Sequence, residues 1–283
     1  MHIEALAVCH NRKEKTLKSI YDLKNQNLPN GVTLSVTIVD DNSTDLTKSS
    51  IEEKYPDVEV ISGTGELFWA GGMRHGWEQS IKNKKFDALL VFNDDITLNT
   101  DAIQVLIDAY QQAHQEISDG LYVITGAFTD TKLQKITYGG FNHSSKWHKL
   151  RFSLVSPNGI CQEVDTLNMN FALISKESLN KVGFLSSYFR HGGADMDFGL
   201  KLRKFRGKVF LTPRVVGVCD RNLIEGTSSE LGIGYFQRIK RLLSIKEQPI
   251  KQRFLYFRDN AGSFWFILFL LPYFRVFFWW GRK

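Results

Sequence analysis

The first half of the chain alternates short apolar runs with polar segments that have helical spacing. The apolar, strand-like runs cover residues 3–9, 34–39, 58–61 and 88–92. Segments with apolar residues at helical intervals follow them at residues 12–25, 44–54, 70–82 and 100–115. Buried strands alternating with helices predict an α/β fold, in which a mostly parallel, doubly wound central sheet is flanked by helices.

The second half is less regular, although further elements can be predicted in it. Apolar runs predict strands at residues 167–174, 208–211 and 215–218, and helical spacing predicts helices at 176–182 and 195–205. The sequence shows no internal repeat and no low-complexity linker. We therefore predict one domain over residues 1–230, followed by a C-terminal helical tail over residues 231–283.

The tail has a different pattern from the rest of the chain. Residues 264–278 are almost continuously apolar, interrupted by Pro272 and Arg275, and Trp279-Trp280 and then Gly281-Arg282-Lys283 follow. A membrane-spanning helix needs about 20 apolar residues, so this run is short for a span. Aromatic residues beside basic ones are typical of an interfacial helix, which favours attachment to a membrane surface. The alternative is a helix that packs on the preceding domain or on a partner subunit.

Composition narrows the class of protein. Hydrophobic residues make up 43% of the chain and charged residues 23%, which predicts a packed globular core. The net charge of +6 suits an anionic ligand or an anionic membrane surface. No recognised nucleic-acid-binding motif is present, so we expect no nucleic-acid partner. Three cysteines without a paired spacing, and an apolar run that begins at residue 3, predict a reducing cytoplasmic location without a signal peptide.

Acidic residues follow two of the predicted strands directly. Asp40-Asp41 ends the run 34–39, and Asn93-Asp94-Asp95 ends the run 88–92. Ligands of open α/β sheets bind at the carboxyl ends of the strands. Adjacent carboxylates repel each other unless a cation or hydrogen-bond donors offset them, and Mg²⁺ usually shares such ligands with substrate phosphates. The sequence therefore predicts a site for a metal and a diphosphate, although polar turns that cap helices would show the same residues.

Two glycine-containing segments are further candidates. Gly71 and Gly72 precede Arg74 at the start of a predicted helix, where glycines permit close approach and free backbone N–H groups bind anions. The alternative for this segment is a tight turn. Asp195 follows His191-Gly192-Gly193-Ala194 at the start of another predicted helix. It is either a helix cap or, across a cleft from the metal, a base for an acceptor hydroxyl.

The order of these motifs resembles the family 2 glycosyltransferases of the GT-A fold. The matching segments are VDDNST at 39–44, AGGMRHG at 70–76, NDD at 93–95 and DMD at 195–197, and the resemblance extends over residues 3–220. It implies a Rossmann-like sheet, with a nucleotide-sugar-binding half at 1–115 and an acceptor-binding half at 116–230. It also implies inverting transfer of a sugar, with Mg²⁺ or Mn²⁺, from a UDP- or dTDP-linked donor to a glycan or a lipid-linked acceptor.

The resemblance also implies roles for individual residues. Asp41 would contact the nucleotide base, Asp94 the ribose, Asp95 the metal, and Asp195 would be the general base. Other residues would lie on the donor side, namely His10, Asn11, Gly71, Gly72 and Arg74. Candidate acceptor contacts are Trp69, His191 and Asp197. Further expectations are a role in bacterial surface polysaccharide synthesis at the inner face of the cell membrane, and compatibility with a homo-oligomer.

Two departures from the family pattern leave alternatives open. Ala194 stands where the family often has Glu, and Cys219-Asp220-Arg221 stands where the family often has a His, which makes Asp220 a candidate further metal ligand. One alternative is a non-catalytic, membrane-associated carbohydrate-binding or scaffold subunit with the same fold. The other is a sugar nucleotidyltransferase, which would normally have a glycine-rich basic loop after the first strand, where this chain has no glycine.

Overall fold

The computed structural model describes residues 1–132, 135–221 and 224–278. The strands there are β1 (His2–Cys9), β2 (Thr33–Asp40), β3 (Glu59–Ser62), β4 (Ala88–Phe92), β5 (Thr97–Leu98), β6 (Tyr122–Thr129), β7 (Ile136–Tyr138), β8 (Gly140–His143), β9 (Phe152–Leu154), β10 (Gln162–Val164), β11 (Thr166–Leu167), β12 (Phe171–Ser175) and β13 (Lys208–Val218). The helices are α1 (Lys13–Lys24), α2 (Thr47–Lys54), α3 (Phe68–Gln79), α4 (Ala102–Glu116), α5 (Lys176–Val182), α6 (Ala194–Lys204), α7 (Tyr235–Leu242), α8 (Ile250–Asn260) and α9 (Trp265–Phe278). Short 3-10 turns occur at Ile81–Asn83 and Ile245–Glu247.

A large sheet organises the molecule. Its main path runs β10-β13-β6-β12-β4-β1-β2-β3, with β5 and β7 added at β13 and β6. Strand β1 is parallel to both β2 and β4, and β2 is parallel to β3. Strand β12 runs antiparallel to both β4 and β6, and it joins the first half of the sheet to the second. The predicted α/β fold with a mostly parallel central sheet is therefore confirmed.

The apolar residues of β1 alternate between the two faces of this sheet. Leu6 and Val8 belong to one hydrophobic cluster, whereas Ala5 and Ala7 belong to the other. Because successive side chains of a strand point to opposite faces, a strand covered by helices on both sides is apolar at most positions. That explains the apolar run from Ala5 to Cys9, whereas the buried Glu4, near the start of β1, pairs with Lys84.

Helix α3 packs unusually close to the sheet because it carries glycine where it crosses the strands. A Cβ atom on Gly72 would lie 2.6 Å from Val8 Cγ1, and one on Gly76 would lie 2.7 Å from Val39 Cγ2. Both distances are too short for a side chain, so these glycines set the approach of the helix. The AGGMRHG segment thus has a packing role in addition to any other.

Some predicted elements have different boundaries in the structure. The predicted strand at 167–174 is divided into β11 and β12, which lie in different sheets, and Asn168 and Asn170 fall in the connection. The predicted strands at 208–211 and 215–218 form the single strand β13, which contains register shifts. Helix α2 begins at Thr47, because Asp45 accepts a hydrogen bond from the Thr47 backbone N–H at 3.1 Å.

The C-terminal segment packs on the rest of the molecule. Tyr256, Phe257 and Phe269 are buried and belong to the same hydrophobic cluster as Leu6 and Phe198. Helix α9 exposes part of its surface, including the apolar side chains of Phe266, Ile267 and Phe274, and Phe264 just before the helix is also exposed. None of the helices in the described ranges is long and apolar enough to cross a membrane. The predicted interfacial residues Trp279-Trp280 and Gly281-Arg282-Lys283 lie outside the described residues.

Candidate active site

A cavity of about 860 Å³ opens at the carboxyl ends of β1, β2 and β4. Both halves of the chain contribute to its wall. The lining residues with polar or aromatic side chains include His10, Arg12, Asp41, Trp69, Asn93, Asp94 and Asp95 from the first half, and Asn168, Asn170, His191 and Asp195 from the second. The acidic residues predicted from the strand ends and the acid at the start of α6 therefore do face one shared space.

Asp94 and Asp95 share a cationic partner that sequence reasoning missed. Arg12 Nη1 donates hydrogen bonds to Asp94 Oδ1 at 3.1 Å and to Asp95 Oδ2 at 3.0 Å. Burial raises the pKa of Asp94 to about 6, an effect that Arg12 opposes and the charge of Asp95 adds to. The sequence feature that could have pointed to Arg12 is its position three residues after β1, at the edge of the sheet where the acidic residues also lie.

The acidic pair is suited to a hard divalent cation. A single guanidinium nitrogen already contacts one oxygen of each carboxylate, so the two acids are arranged to share one positive centre. Among the residues that the structure describes, no group of three or more His, Cys, Asp or Glu side chains forms a self-sufficient metal cluster. Two carboxylates are nevertheless enough where substrate phosphates and water complete the coordination shell, as is usual for Mg²⁺.

Asp41 lies in the cavity wall and fixes the loop that precedes α3. Its Oδ1 accepts the Gly65 backbone N–H at 2.7 Å, and its Oδ2 accepts those of Leu67 at 2.9 Å and Phe68 at 3.2 Å. The Asp41 carbonyl in turn accepts a hydrogen bond from His10 Nδ1 at 2.7 Å. A carboxylate engaged by three backbone donors has a structural role, whatever it contacts in a ligand.

Asn11 joins the first strand to the loop after β2. Its Oδ1 accepts the Thr44 backbone N–H at 2.7 Å, and its own backbone N–H donates to Ser43 Oγ at 2.9 Å. Its φ of 51° is left-handed, a conformation that asparagine tolerates better than most residues. Asn11 thus helps to shape the cavity edge, and the neighbouring His10 and Arg12 line the cavity itself.

Two backbone N–H groups at the start of α3 are engaged within the protein. The backbone N–H groups of Ala70 and Gly71 both donate to the Arg190 carbonyl, at 3.1 and 3.3 Å. Arg74 Nη1 donates to the Ser186 carbonyl at 3.0 Å, and Gly72 packs on Val8. The Gly71 N–H and Arg74 Nη1 thus have protein partners, and Gly71, Gly72 and Arg74 are not among the described residues that line the cavity.

Asp195 is oriented by an asparagine from the β11–β12 connection. Its Oδ2 accepts a hydrogen bond from Asn168 Nδ2 at 2.9 Å, and its Oδ1 accepts the Met196 backbone N–H at 2.8 Å. Burial raises its pKa above the ordinary value, and these hydrogen bonds oppose the rise. A carboxylate that lines a cavity, is held by a fixed donor and has a raised proton affinity is suited to general-base chemistry.

The three predicted acceptor contacts lie in two different environments. Trp69 and His191 line the cavity, and Trp69 Nε1 donates to Asn93 Oδ1 at 3.0 Å. Asp197 is buried elsewhere, where it accepts hydrogen bonds from Ser186, Tyr188 and Asn260. This arrangement gives Asp197 a structural role in place of the predicted acceptor contact.

Asp220 is not among the described residues that line the cavity. Its carboxylate is exposed and accepts hydrogen bonds from the backbone N–H and the hydroxyl of Thr131, which lower its pKa. Cys219, beside it, is buried and contacts Asn170 Nδ2 through its sulfur at 3.6 Å. The expected additional metal ligand at residue 220 is therefore not supported by this geometry.

Comparisons with known proteins identify the family of this chain. The model of the family described as Glycosyl transferase family 2 matches residues 5–183, which is more than half of the chain. The chain therefore belongs to glycosyl transferase family 2. The matched range contains Asp41, Asp94 and Asp95, whereas Asp195 lies beyond it, so the role of Asp195 depends on its position in the cavity. The comparison with curated proteins gave no match.

Solved structures with a similar fold are glycosyltransferases. A crystal structure of GalNAc-T7 with UDP, GalNAc and Mn²⁺ matches with a TM-score of 0.61 and 12% identity, covering 96% of this chain and 57% of that chain. The mannosyltransferase PcManGT from Pyrobaculum calidifontis, in complex with GDP-Man and Mn²⁺, matches with a TM-score of 0.56 and 14% identity, covering 98% and 70%. This chain thus spans little more than half of the GalNAc-T7 chain, and these similarities show the GT-A fold.

Proposed function

We propose that the protein is an inverting glycosyltransferase that moves a sugar from a nucleotide-diphosphate donor to a hydroxyl group of an acceptor. The observation that carries this proposal is the placement of Asp94 and Asp95 in the same cavity as Asp195, at the carboxyl ends of the parallel strands. In this arrangement residues 1–115 bind the donor, and residues 116–230 position the acceptor.

On this proposal the two sides of the cavity have different tasks. Asp95 would hold Mg²⁺ or Mn²⁺, which when bound supplies positive charge to the diphosphate leaving group, and the neighbouring Asp94 would contact the ribose of the donor. Asp41 fixes the loop that faces the nucleotide, and Arg12 balances the acidic pair while the donor is absent. Trp69 and His191 lie where the sugar or the acceptor would contact the wall.

Asp195 acts on the acceptor side. Its carboxylate takes the proton from the acceptor hydroxyl as that oxygen bonds to the anomeric carbon, while the bond from this carbon to the diphosphate oxygen breaks. Asn168 holds the base in place through its 2.9 Å hydrogen bond. One base and one displacement from the face opposite the leaving group invert the anomeric configuration.

The proposed classes of donor and acceptor are argued from the similar structures and from helix α9. The similar structures contain UDP in one case and GDP-Man in the other, each with Mn²⁺, which supports a nucleotide-sugar donor for this chain. We propose a UDP- or dTDP-linked sugar and a glycan or lipid-linked acceptor, in the synthesis of bacterial surface polysaccharide. The exposed aromatic residues of α9 support attachment to the inner face of the cell membrane, as an enzyme that lies on its surface.

The Asp195→Asn variant tests the proposed reaction. We expect it to bind the nucleotide sugar as the wild type does, because the substitution is nearly isosteric and lies away from the acidic pair. Transfer should fall about 10²- to 10⁴-fold, the usual contribution of a general base. Binding is measured by calorimetry and transfer by release of the nucleoside diphosphate with an acceptor panel. Transfer at the wild-type rate would assign the base to another residue.

A further inference from the structure

A buried glutamine in the C-terminal segment contacts the backbone beside the cavity. Gln252 of α8 is only 3% exposed. Its Oε1 accepts the Arg190 backbone N–H at 3.2 Å, and its Nε2 donates to the Gly192 carbonyl at 3.1 Å. A second side chain, Gln248, donates to the same Gly192 carbonyl at 3.4 Å. Residues far along the chain thus satisfy the polar backbone groups of the segment 190–192.

That segment leads directly to the proposed base. His191, Gly192 and Gly193 line the cavity, and Gly193 is the residue before α6, with a φ of 94°. Asp195 follows two residues later. Because this left-handed turn sets the direction in which α6 starts, a displacement of residues 190–193 would be transmitted to the Asp195 carboxylate.

The segment is also held from the donor side. The Arg190 carbonyl accepts the N–H groups at the start of α3, and Arg190 Nη2 donates to the Glu66 carbonyl at 2.6 Å. The Arg190 guanidinium lies 4.9 Å from the ring centre of Phe68. Residues 190–193 therefore lie between the loop that Asp41 fixes and helix α8, in contact with both.

Helix α8 contacts α6 at a second place. Asn260 Nδ2 donates to Asp197 Oδ1 at 2.9 Å, and Lys204 Nζ donates to the Asp259 carbonyl at 2.7 Å. These contacts lie at the C-terminal end of α8, whereas Gln252 lies near its beginning. The helix consequently supports both the residues that precede α6 and α6 itself.

We propose that Gln252 is a positioning residue for the transfer reaction, through which α8 supports the segment that precedes the proposed base. The inference rests on the proposed function, since it assumes that Asp195 is the base. It assigns the region after residue 230 a role in catalysis beyond attachment to a surface.

The test compares Gln252→Ala with a matched control, Gln26→Ala. Gln26 is also a buried glutamine that joins backbone groups: it donates to the carbonyls of Asp22 and Asn99 and accepts the Ile103 N–H, away from the cavity. We expect Gln252→Ala to lower kcat and raise the acceptor KM, with a combined loss in kcat/KM of about 10- to 100-fold, because small displacements of a catalytic group are costly. The donor Kd should be unchanged, and Gln26→Ala should show none of these kinetic changes.

Hydrogen exchange of residues 190–197 gives a readout that does not need activity. We expect faster exchange there in Gln252→Ala and the wild-type rate in Gln26→Ala. The Gln252→Met variant keeps most of the side-chain volume and loses both hydrogen bonds, so the same changes in exchange and kinetics are expected without a cavity. If Gln252→Ala does not fold, this variant carries the test.

The outcomes separate the two proposals. A wild-type protein that transfers no sugar from any donor would contradict the proposed function, and the exchange data would still decide whether Gln252 holds the segment. The positioning role alone would be overturned by a different result. In that case the wild type transfers sugar normally, and both Gln252 variants have unchanged acceptor KM, kcat and hydrogen exchange.

Discussion

Replacement of Asp41 by Asn tests whether this residue fixes the loop before α3. The side-chain oxygen of asparagine can still accept hydrogen bonds from the Leu67 and Phe68 N–H groups, which lie 2.9 and 3.2 Å from Asp41 Oδ2 in the native protein. Its amide nitrogen would then face the Gly65 N–H, which is 2.7 Å from Oδ1 in the native protein. One charge-assisted hydrogen bond is lost and one backbone donor loses its acceptor, so we expect the free energy of unfolding to fall by about 1.5–3 kcal/mol.

The assay is urea unfolding followed by tryptophan fluorescence, together with calorimetry of nucleotide-sugar binding in the presence of Mn²⁺. Asp57→Asn is the matched control, because Asp57 pairs with Lys24 at the surface, where loss of an ion pair costs about 0–1 kcal/mol. We expect weaker donor binding by Asp41→Asn in proportion to the loosened loop. Unchanged stability with complete loss of donor binding would refute this reasoning and leave Asp41 as a ligand contact only.

Three further predictions concern other parts of the molecule. Gly72→Ala should lower the free energy of unfolding by about 1–3 kcal/mol, because its Cβ would meet Val8. The control Gly71→Ala should fold and bind the donor normally. Loss of donor binding by Gly71→Ala would instead support the predicted contact of Gly71 with the donor. Because the pKa of Asp94 is raised to about 6, this carboxylate becomes protonated as the pH drops below about 6, and the metal-dependent affinity for the donor should fall. Calorimetry across pH 5–8 measures this affinity. An affinity that does not fall at low pH would show that Asp94 is not involved. Phe266→Ser should reduce sedimentation with anionic vesicles, while a wild-type protein that stays in the supernatant would contradict surface attachment.

The raised pKa of Asp94 makes stability depend on pH in the opposite direction from donor affinity. A carboxyl group with a higher pKa in the folded protein binds its proton more tightly there than in the unfolded chain. The contribution of Asp94 to the free energy of unfolding therefore decreases as the pH rises from about 4 to about 6. A shift of about two pH units corresponds to at most about 3 kcal/mol. This contribution of Asp94 to stability is thus largest at the acidic end of the range, where donor binding is weakest.

The parts of the site that depend on strand ends could be predicted from the sequence. Asp41 and Asp94 lie just after predicted strands, and parallel strands bring their carboxyl ends to one edge of the sheet. The role of Asp195 follows from the family resemblance and stays a prediction, and the structure shows that Asp195 and Asp95 line the same cavity.

Features that depend on side-chain partners could not be predicted in this way. Asp195 and Asp197 are two residues apart at the start of α6, yet one lines the cavity and the other is buried against Ser186 and Tyr188. The contact of Gln252 with Gly192 joins residues sixty positions apart in sequence. No local pattern marks such contacts, because they depend on how the helices pack after the sheet has formed.

The most direct test of the central claim is a calorimetric titration of nucleotide-diphosphate sugars into the wild type and Asp95→Asn, each with Mn²⁺ and with a chelator. If the acidic pair receives a metal-bound diphosphate, at least one UDP- or dTDP-linked sugar binds the wild type with Mn²⁺. Its affinity should then fall at least about tenfold, or about 1.4 kcal/mol, both with the chelator and in the variant. Equal affinity in all four titrations, or no binding of any nucleotide sugar, would contradict the account.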